Sequence, residues 1–86
     1  MPYAISRHAL EEIVRRGIPR AEVESVLASP EQRISQSPEV EILQSRFKTT
    51  GGKMLLLRVV VASGKEPPVV ITAYRTSKIE KYWRPE

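Results

Sequence analysis

The chain has 86 residues, of which 41% are hydrophobic, with fourteen Lys and Arg against ten Asp and Glu for a net charge of +4. A domain of this size buries only about 60 to 65% of its extended-chain surface, so one small core is expected, spanning residues 1–86. The positive balance favours an acidic partner such as nucleic acid or an acidic protein. The absence of cysteine excludes disulfides, thiolate nucleophiles and Cys-ligated zinc, and suits a cytoplasmic location. No apolar run reaches the length of a membrane span, so no membrane association is expected.

In chain order, Ser6 caps a helix expected over residues 7–16, with Ala9, Leu10, Ile13 and Val14 as its apolar stripe and Gly17 as its stop. After Ile18 and Pro19, Val23, Val26 and Leu27 mark a second short helix that ends before Pro30, with Glu22 and Glu24 near its positive end. The hydrophobic period then changes. Residues 41–50 and 53–63 read as strands joined by a turn at Gly51 and Gly52, and "VVITAYR", residues 69–75, reads as the next. A weaker strand is expected around Gln32 to Ser35. The segment after Arg75 could add a helical turn or lie along the sheet. The fold class is therefore α+β: two N-terminal helices packed on a curved antiparallel meander of three or four strands. Leu10, Ile13, Ile18, Val26, Leu27, Leu57, Val59 and Ile71 are the expected core.

Alternation sorts the strand residues onto two faces. Leu55, Leu57, Val59 and Val61 point one way, and Leu56, Arg58, Val60 and Ala62 the other. With helices on the first face, the second brings Arg46, Arg58, Thr72 and Tyr74 together as a basic groove with an aromatic. Arg75 would face the helices near the sheet edge, unless a bulge re-aims it. A solvated open sheet face is the ordinary alternative for Arg46 and Arg58.

His8, the sole histidine, forms a helical ridge with Glu12 and Arg16. It can serve as a general acid or base near neutral pH, or the ridge can be a solvent-facing row of salt links. Arg75, Thr76 and Lys78 offer a planar fork, a hydroxyl and an ammonium suited to phosphate oxygens; the alternative is a strand end with solubilising charge. Tyr74, Tyr82 and Trp83 can stack bases or cover a sheet edge. A lone His without Cys speaks against a zinc site, no phosphate-cradling glycine motif is present, and no Asp exists for a Ser/His/Asp triad.

The segments "SRHALEEIVRRGIP", "VESVLASPEQ", "LLLRVVV" and "PPVVITAYRTSKIEKYW" together resemble the bacterial family called domain of unknown function 4258. The resemblance implies a fold of the barnase, EndoU, colicin and RelE type, whose members are largely metal-independent ribonucleases, many of them toxins of toxin–antitoxin pairs. The family's H-A-x-x-R-x-x-x-R-G-I pattern is met at His8, Ala9, Arg16, Gly17 and Ile18, with Glu12 in place of its first arginine. Tyr74, Arg75, Thr76, Ser77 and Lys78 meet its Y-R-T-S-K end.

The expectation that follows is an endoribonuclease working by 2′-OH attack without cofactor or metal. His8, Arg58, Tyr74, Arg75 and Lys78 would be its catalytic residues, and Arg16, Arg46, Thr76, Lys81 and Tyr82 would bind RNA. Its partners would be RNA, free or ribosome-bound, and a cognate acidic antitoxin-like protein. The alternative is a binding module that docks RNA or such a protein on its basic sheet face without cleaving.

Overall fold

A computed structural model describes residues 3–85. Strand β1 (Ala4–Ile5) leads into helix α1 (Arg7–Arg15) and helix α2 (Arg20–Ala28). Strands β2 (Gln32–Ser37), β3 (Val40–Lys48), β4 (Met54–Ala62) and β5 (Val69–Thr76) follow, and a single turn of helix, α3 (Ile79–Tyr82), comes last. The sheet has five strands in the order β1-β5-β4-β3-β2. The four strands from β2 to β5 form an antiparallel meander, while β1 adds a parallel pair to β5 through Ala4–Val69 and Ile5–Val70. The sheet is thus mixed and five-stranded, where the sequence led us to expect an antiparallel one of three or four. Two residues are too few for a period to show, which is why β1 left no signal.

Local chemistry explains the helix ends. The Ser6 hydroxyl accepts from the Ala9 N–H at 3.0 Å, satisfying one of the orphan donors of α1. At the other end Gly17 takes φ +64, the left-handed conformation that closes a helix, and Ile18 N–H bonds back to the Ile13 carbonyl at 3.0 Å. This turn drops Ile18 into the core.

Both long helices lie on one face of the sheet. Ala9, Ile13, Ile18, Val23 and Val26 pack with Leu43, Leu57, Val59, Val61, Val70 and Ala73 in one buried cluster. Leu27 packs against this cluster only partly buried. Two expected core residues lie elsewhere: Leu10 is 37% exposed and Ile71 36%. Leu10 sits on the flank of α1, roughly 100° around the axis from Ala9, outside the narrow stripe that nine helical residues can bury.

Ile71 has a different cause. Val61 pairs with Val70 and Val60 with Thr72, so Ile71 is an extra residue, a bulge in β5. The bulge shifts the alternation by one, letting Val70 and Ala73 both face the helices and pushing Ile71 out. Beyond the bulge, Arg75 faces the helix side and Tyr74 the opposite side.

Burial therefore predicts a sharp contrast. Leu57→Ala should cost about 3 kcal/mol through its cavity, lowering Tm by more than about 10 °C for a chain of this size. Leu10→Ala and Ile71→Ala should stay within about 0.5 kcal/mol of wild type. Thermal melts of the three variants check this, and a large loss in Ile71→Ala would contradict the bulge.

Candidate nucleic-acid interface

The sheet face away from α1 and α2 is organised by one row of side chains crossing four strands. The register sets Gln32 opposite Gln44, Gln44 opposite Arg58, and Arg58 opposite Tyr74. Each pair is bonded. Gln44 Nε2 donates to Gln32 Oε1 at 2.7 Å, Arg58 Nε donates to Gln44 Oε1 at 2.9 Å, and Arg58 Nη1 donates to the Tyr74 hydroxyl at 2.7 Å. Gln44 is wholly buried and Arg58 is only 7% exposed.

The C-terminal segment closes over this row. Gln44 Nε2 also donates to the Tyr82 carbonyl at 3.2 Å, Gln32 Nε2 to the Arg84 carbonyl at 2.6 Å, and Arg84 N–H to Gln32 Oε1 at 3.1 Å. The Tyr82 ring lies 4.3 Å from the Arg58 guanidinium and edge-on to Tyr74, with the two ring centres 6.5 Å apart. The Trp83 ring lies 4.0 Å from the Arg46 guanidinium. Arg46 is also held by Glu31, at 3.2 Å. The segment after Arg75 thus does both things the sequence allowed: it forms a helical turn and lies against the sheet.

Alternation placed Arg46, Arg58, Thr72 and Tyr74 on a common face, and the register puts all four there. The C-terminal segment covers Arg58, while Arg46 stays exposed at its margin against Trp83. Among the described residues Arg58 spends its hydrogen bonds on neutral acceptors, the oxygens of Gln44 and Tyr74, and Arg46 is neutralised by Glu31.

The open cationic surface lies next to this cover, where β5 ends. Arg16, Lys53, Leu55, Tyr74, Arg75, Thr76 and Ser77 line a groove of about 550 Å³. A second hollow of about 630 Å³ is bordered by Lys53, Met54, Ser77, Lys78 and Lys81, with one acid, Glu80. Among the described residues the ion pairs take up Arg7, Arg15, Arg16, Arg20, Arg33 and Arg46. None involves Lys53, Arg75, Lys78 or Lys81. Lys53 belongs to the Gly51–Gly52 hairpin, far from "YRTSK" in sequence, and the pairing of β4 with β5 brings it there.

Arg75 is fixed from the helix side, where its Nη2 donates to the carbonyl of Arg16 at 3.1 Å. Arg16 in turn donates from Nη1 to the Ala73 carbonyl at 2.7 Å. The two arginines thereby satisfy the last carbonyls of α1 and the β5 backbone while holding their charge at the groove.

His8 does not join them. It is exposed and stands two turns before Arg16 on α1, roughly 12 Å along the helix at 1.5 Å per residue. Its ridge is a set of salt links: Arg15 bonds Glu12, and Arg16 Nη2 lies 2.8 Å from Glu12 Oε1. Those partners, Arg15 first, hold the Glu12 carboxyl below the usual range.

Two further residues were given no site role by the sequence. Ser77, noted only as part of the Y-R-T-S-K end, lines both hollows. Glu22 carries a buried carboxylate oxygen with no hydrogen-bond partner among the described residues, beside a cavity of about 10 Å³ that Arg75 also lines. A Glu at the third position of a helix ordinarily reaches back to the N-cap N–H. Here the N-cap is Pro19, which has none. Among the described residues no group of three or more metal-ligating side chains occurs.

The buried row gives two predictions. Gln44→Leu should cost about 2 to 3 kcal/mol by stranding a buried guanidinium donor. Adding Arg58→Met should restore most of that loss, because the double variant leaves no charge unpaired; a double variant as unstable as the sum of its singles would contradict the pairing. Separately, hydrogen bonds from the Arg46 side chain, then its backbone, hold the Glu31 carboxyl below its ordinary range. Its stabilising contribution is then present above the unfolded-state value and lost as pH falls through the lower folded one. Glu31→Gln should flatten that acid loss in melts below about pH 4.3 and leave the Arg46 backbone N–H bond in place.

No curated protein and no solved structure matches the chain. The family model described as domain of unknown function (DUF4258) does match, over residues 5–75. That span carries both long helices, the meander up to Arg75 in β5 and the arginines at positions 16, 46, 58 and 75, so the chain belongs to the DUF4258 family.

Proposed function

We propose that the protein binds RNA through its phosphate backbone in the groove at the end of β5. One observation carries the reading: Arg75 in this groove, Lys78 and Lys81 in the hollow beside it, and Lys53 between the two have no ion-pair partner among the described residues, while most other arginines are neutralised. The Arg75 fork, the hydroxyls of Thr76 and Ser77 and mobile lysines are the groups that phosphate oxygens accept from. Unpaired cations gain the most from a polyanion, since no internal bond is given up and counterions are released. The same groove would suit a cognate acidic antitoxin-like protein, which would then compete with RNA.

A second reading, metal-independent cleavage by 2′-OH attack in the manner of a cytoplasmic toxin, is favoured by the position of Tyr74. Tyr74 lines the groove that holds Arg16 and Arg75, and its hydroxyl oxygen accepts from Arg58, so the phenol's own proton can be donated. In this reading Tyr74, which lines the groove, would transfer the proton in place of His8, which stands two turns before Arg16, and Arg75 would stabilise charge in the transition state.

Fluorescence anisotropy with end-labelled single-stranded RNA tests the binding reading. The affinity should fall with salt, and Arg75→Ala and Lys78→Ala should each weaken it and lower the log–log salt slope by about 0.7, the value for one lost contact on a single strand. An affinity unaffected by salt would defeat the proposal. If products appear, the cleavage reading requires 2′,3′-cyclic phosphate ends and a loss of roughly 10²- to 10⁴-fold in Tyr74→Phe, with His8→Ala near wild type.

A further inference from the structure

We infer that the sheet face under residues 82–84 is a second subsite for the same RNA, one that stacks its bases, and that the C-terminal segment occupies this subsite in the free protein. The inference rests on the RNA reading of the neighbouring groove. Its basis is what the segment supplies to the face: an aromatic ring against each of two guanidiniums, Trp83 on Arg46 and Tyr82 on Arg58. Backbone carbonyls of Tyr82 and Arg84 meet the amide N–H groups of Gln44 and Gln32, and one N–H meets the Gln32 carbonyl. A flat π face, carbonyl acceptors and an N–H donor are also what a nucleobase presents. Arg46 and Arg58 stand diagonally across β3 and β4, roughly 7 to 8 Å apart by sheet geometry, a span that two successive nucleotides of a single strand can bridge.

Three features make exchange feasible. Among the described residues Arg58 is buried with only neutral acceptors, so an anionic ligand would supply a counter-charge. The segment's single helical turn has no side-chain cap bond at its start, so the contacts with the face hold it in place. The segment also leaves directly from the groove through Ser77 and Lys78, so a strand whose phosphates lie in the groove has its next bases at the edge of the covered face.

Trp83 is the sole tryptophan and therefore reports on the cover without a label. Full-length protein is titrated with a mixed-sequence single-stranded RNA, with anisotropy reporting binding and Trp83 emission and acrylamide quenching reporting the segment. Release predicts a red shift and easier quenching along the same isotherm as binding. It also predicts that Trp83→Ala binds about three- to tenfold more tightly, because less of the protein is held closed. RNA binding with Trp83 emission unmoved or better shielded would overturn the inference and leave the groove reading standing. Absence of RNA binding by both wild type and Trp83→Ala would remove both. The emission arm needs no variant, so it decides even if Trp83→Ala does not fold.

Discussion

A guanidinium enclosed at the middle of a sheet, with no carboxylate paired to it among the described residues, constrains everything around it. Arg58 can be buried only if its N–H groups find acceptors, and its cross-strand neighbours Gln44 and Tyr74 provide them. Gln44, having given its oxygen to Arg58, must place its own N–H groups, which it does on Gln32 and on the Tyr82 carbonyl. Gln32 passes the requirement on to the backbone of Arg84. One buried cation thus couples the register of four strands to the seat of the C-terminal segment. A slip of one residue anywhere in the meander would turn a member of the row to the other face and leave its partners unsatisfied.

The elements with strong periods were legible in the sequence. Helix α1 with its Ser6 cap and Gly17 stop, the Leu57/Val59/Val61 alternation and the glycine hairpin all follow from local rules that the tertiary structure does not override. Of the expected stripe Ala9, Leu10, Ile13 and Val14, however, only Ala9 and Ile13 are buried, and Val14 is 77% exposed. What was hidden lacked a period. The two residues of β1 are visible only through their pairing with β5, and the bulge at Ile71 reverses the alternation inside a strand whose apolar run looks continuous. Val, Val and Ile in succession fit either phase, so composition could not say which of them the core would take.

The candidate site divides along the same line. "YRTSK" reads as an anion-binding group from its side chains alone, and its Arg75, Thr76 and Lys78 do border open hollows. The grouping of Arg46, Arg58 and Tyr74 also follows from simple alternation. Which of these charges are available does not, because availability depends on partners distant in sequence: Glu31 for Arg46, Gln44 for Arg58, the carbonyls of Arg16 and Gly17 for Arg75. Lys53 enters through the hairpin and Glu22 through a proline that cannot answer it. Neither carries a local signature.

Separating paired from unpaired cations also bears on how so small a domain can hold a polyanion without sacrificing its own stability. Its ion pairs on α1, on α2 and across β2 and β3 satisfy charges that would otherwise repel one another in a chain of net charge +4. The repulsion that remains is concentrated where β5, the hairpin and α3 meet, among lysines on flexible stems that solvate well when no ligand is present. Arg75 is the exception, a rigid fork anchored to backbone carbonyls and so already oriented toward the groove. A mobile set of lysines around one fixed guanidinium makes Arg75 the fixed point of contact, about which Lys53, Lys78 and Lys81 can adjust to whatever path the phosphates take. Because the covering segment begins within that set, at Lys78, any adjustment made by the groove is felt at the hold that Tyr82 and Trp83 keep on the sheet.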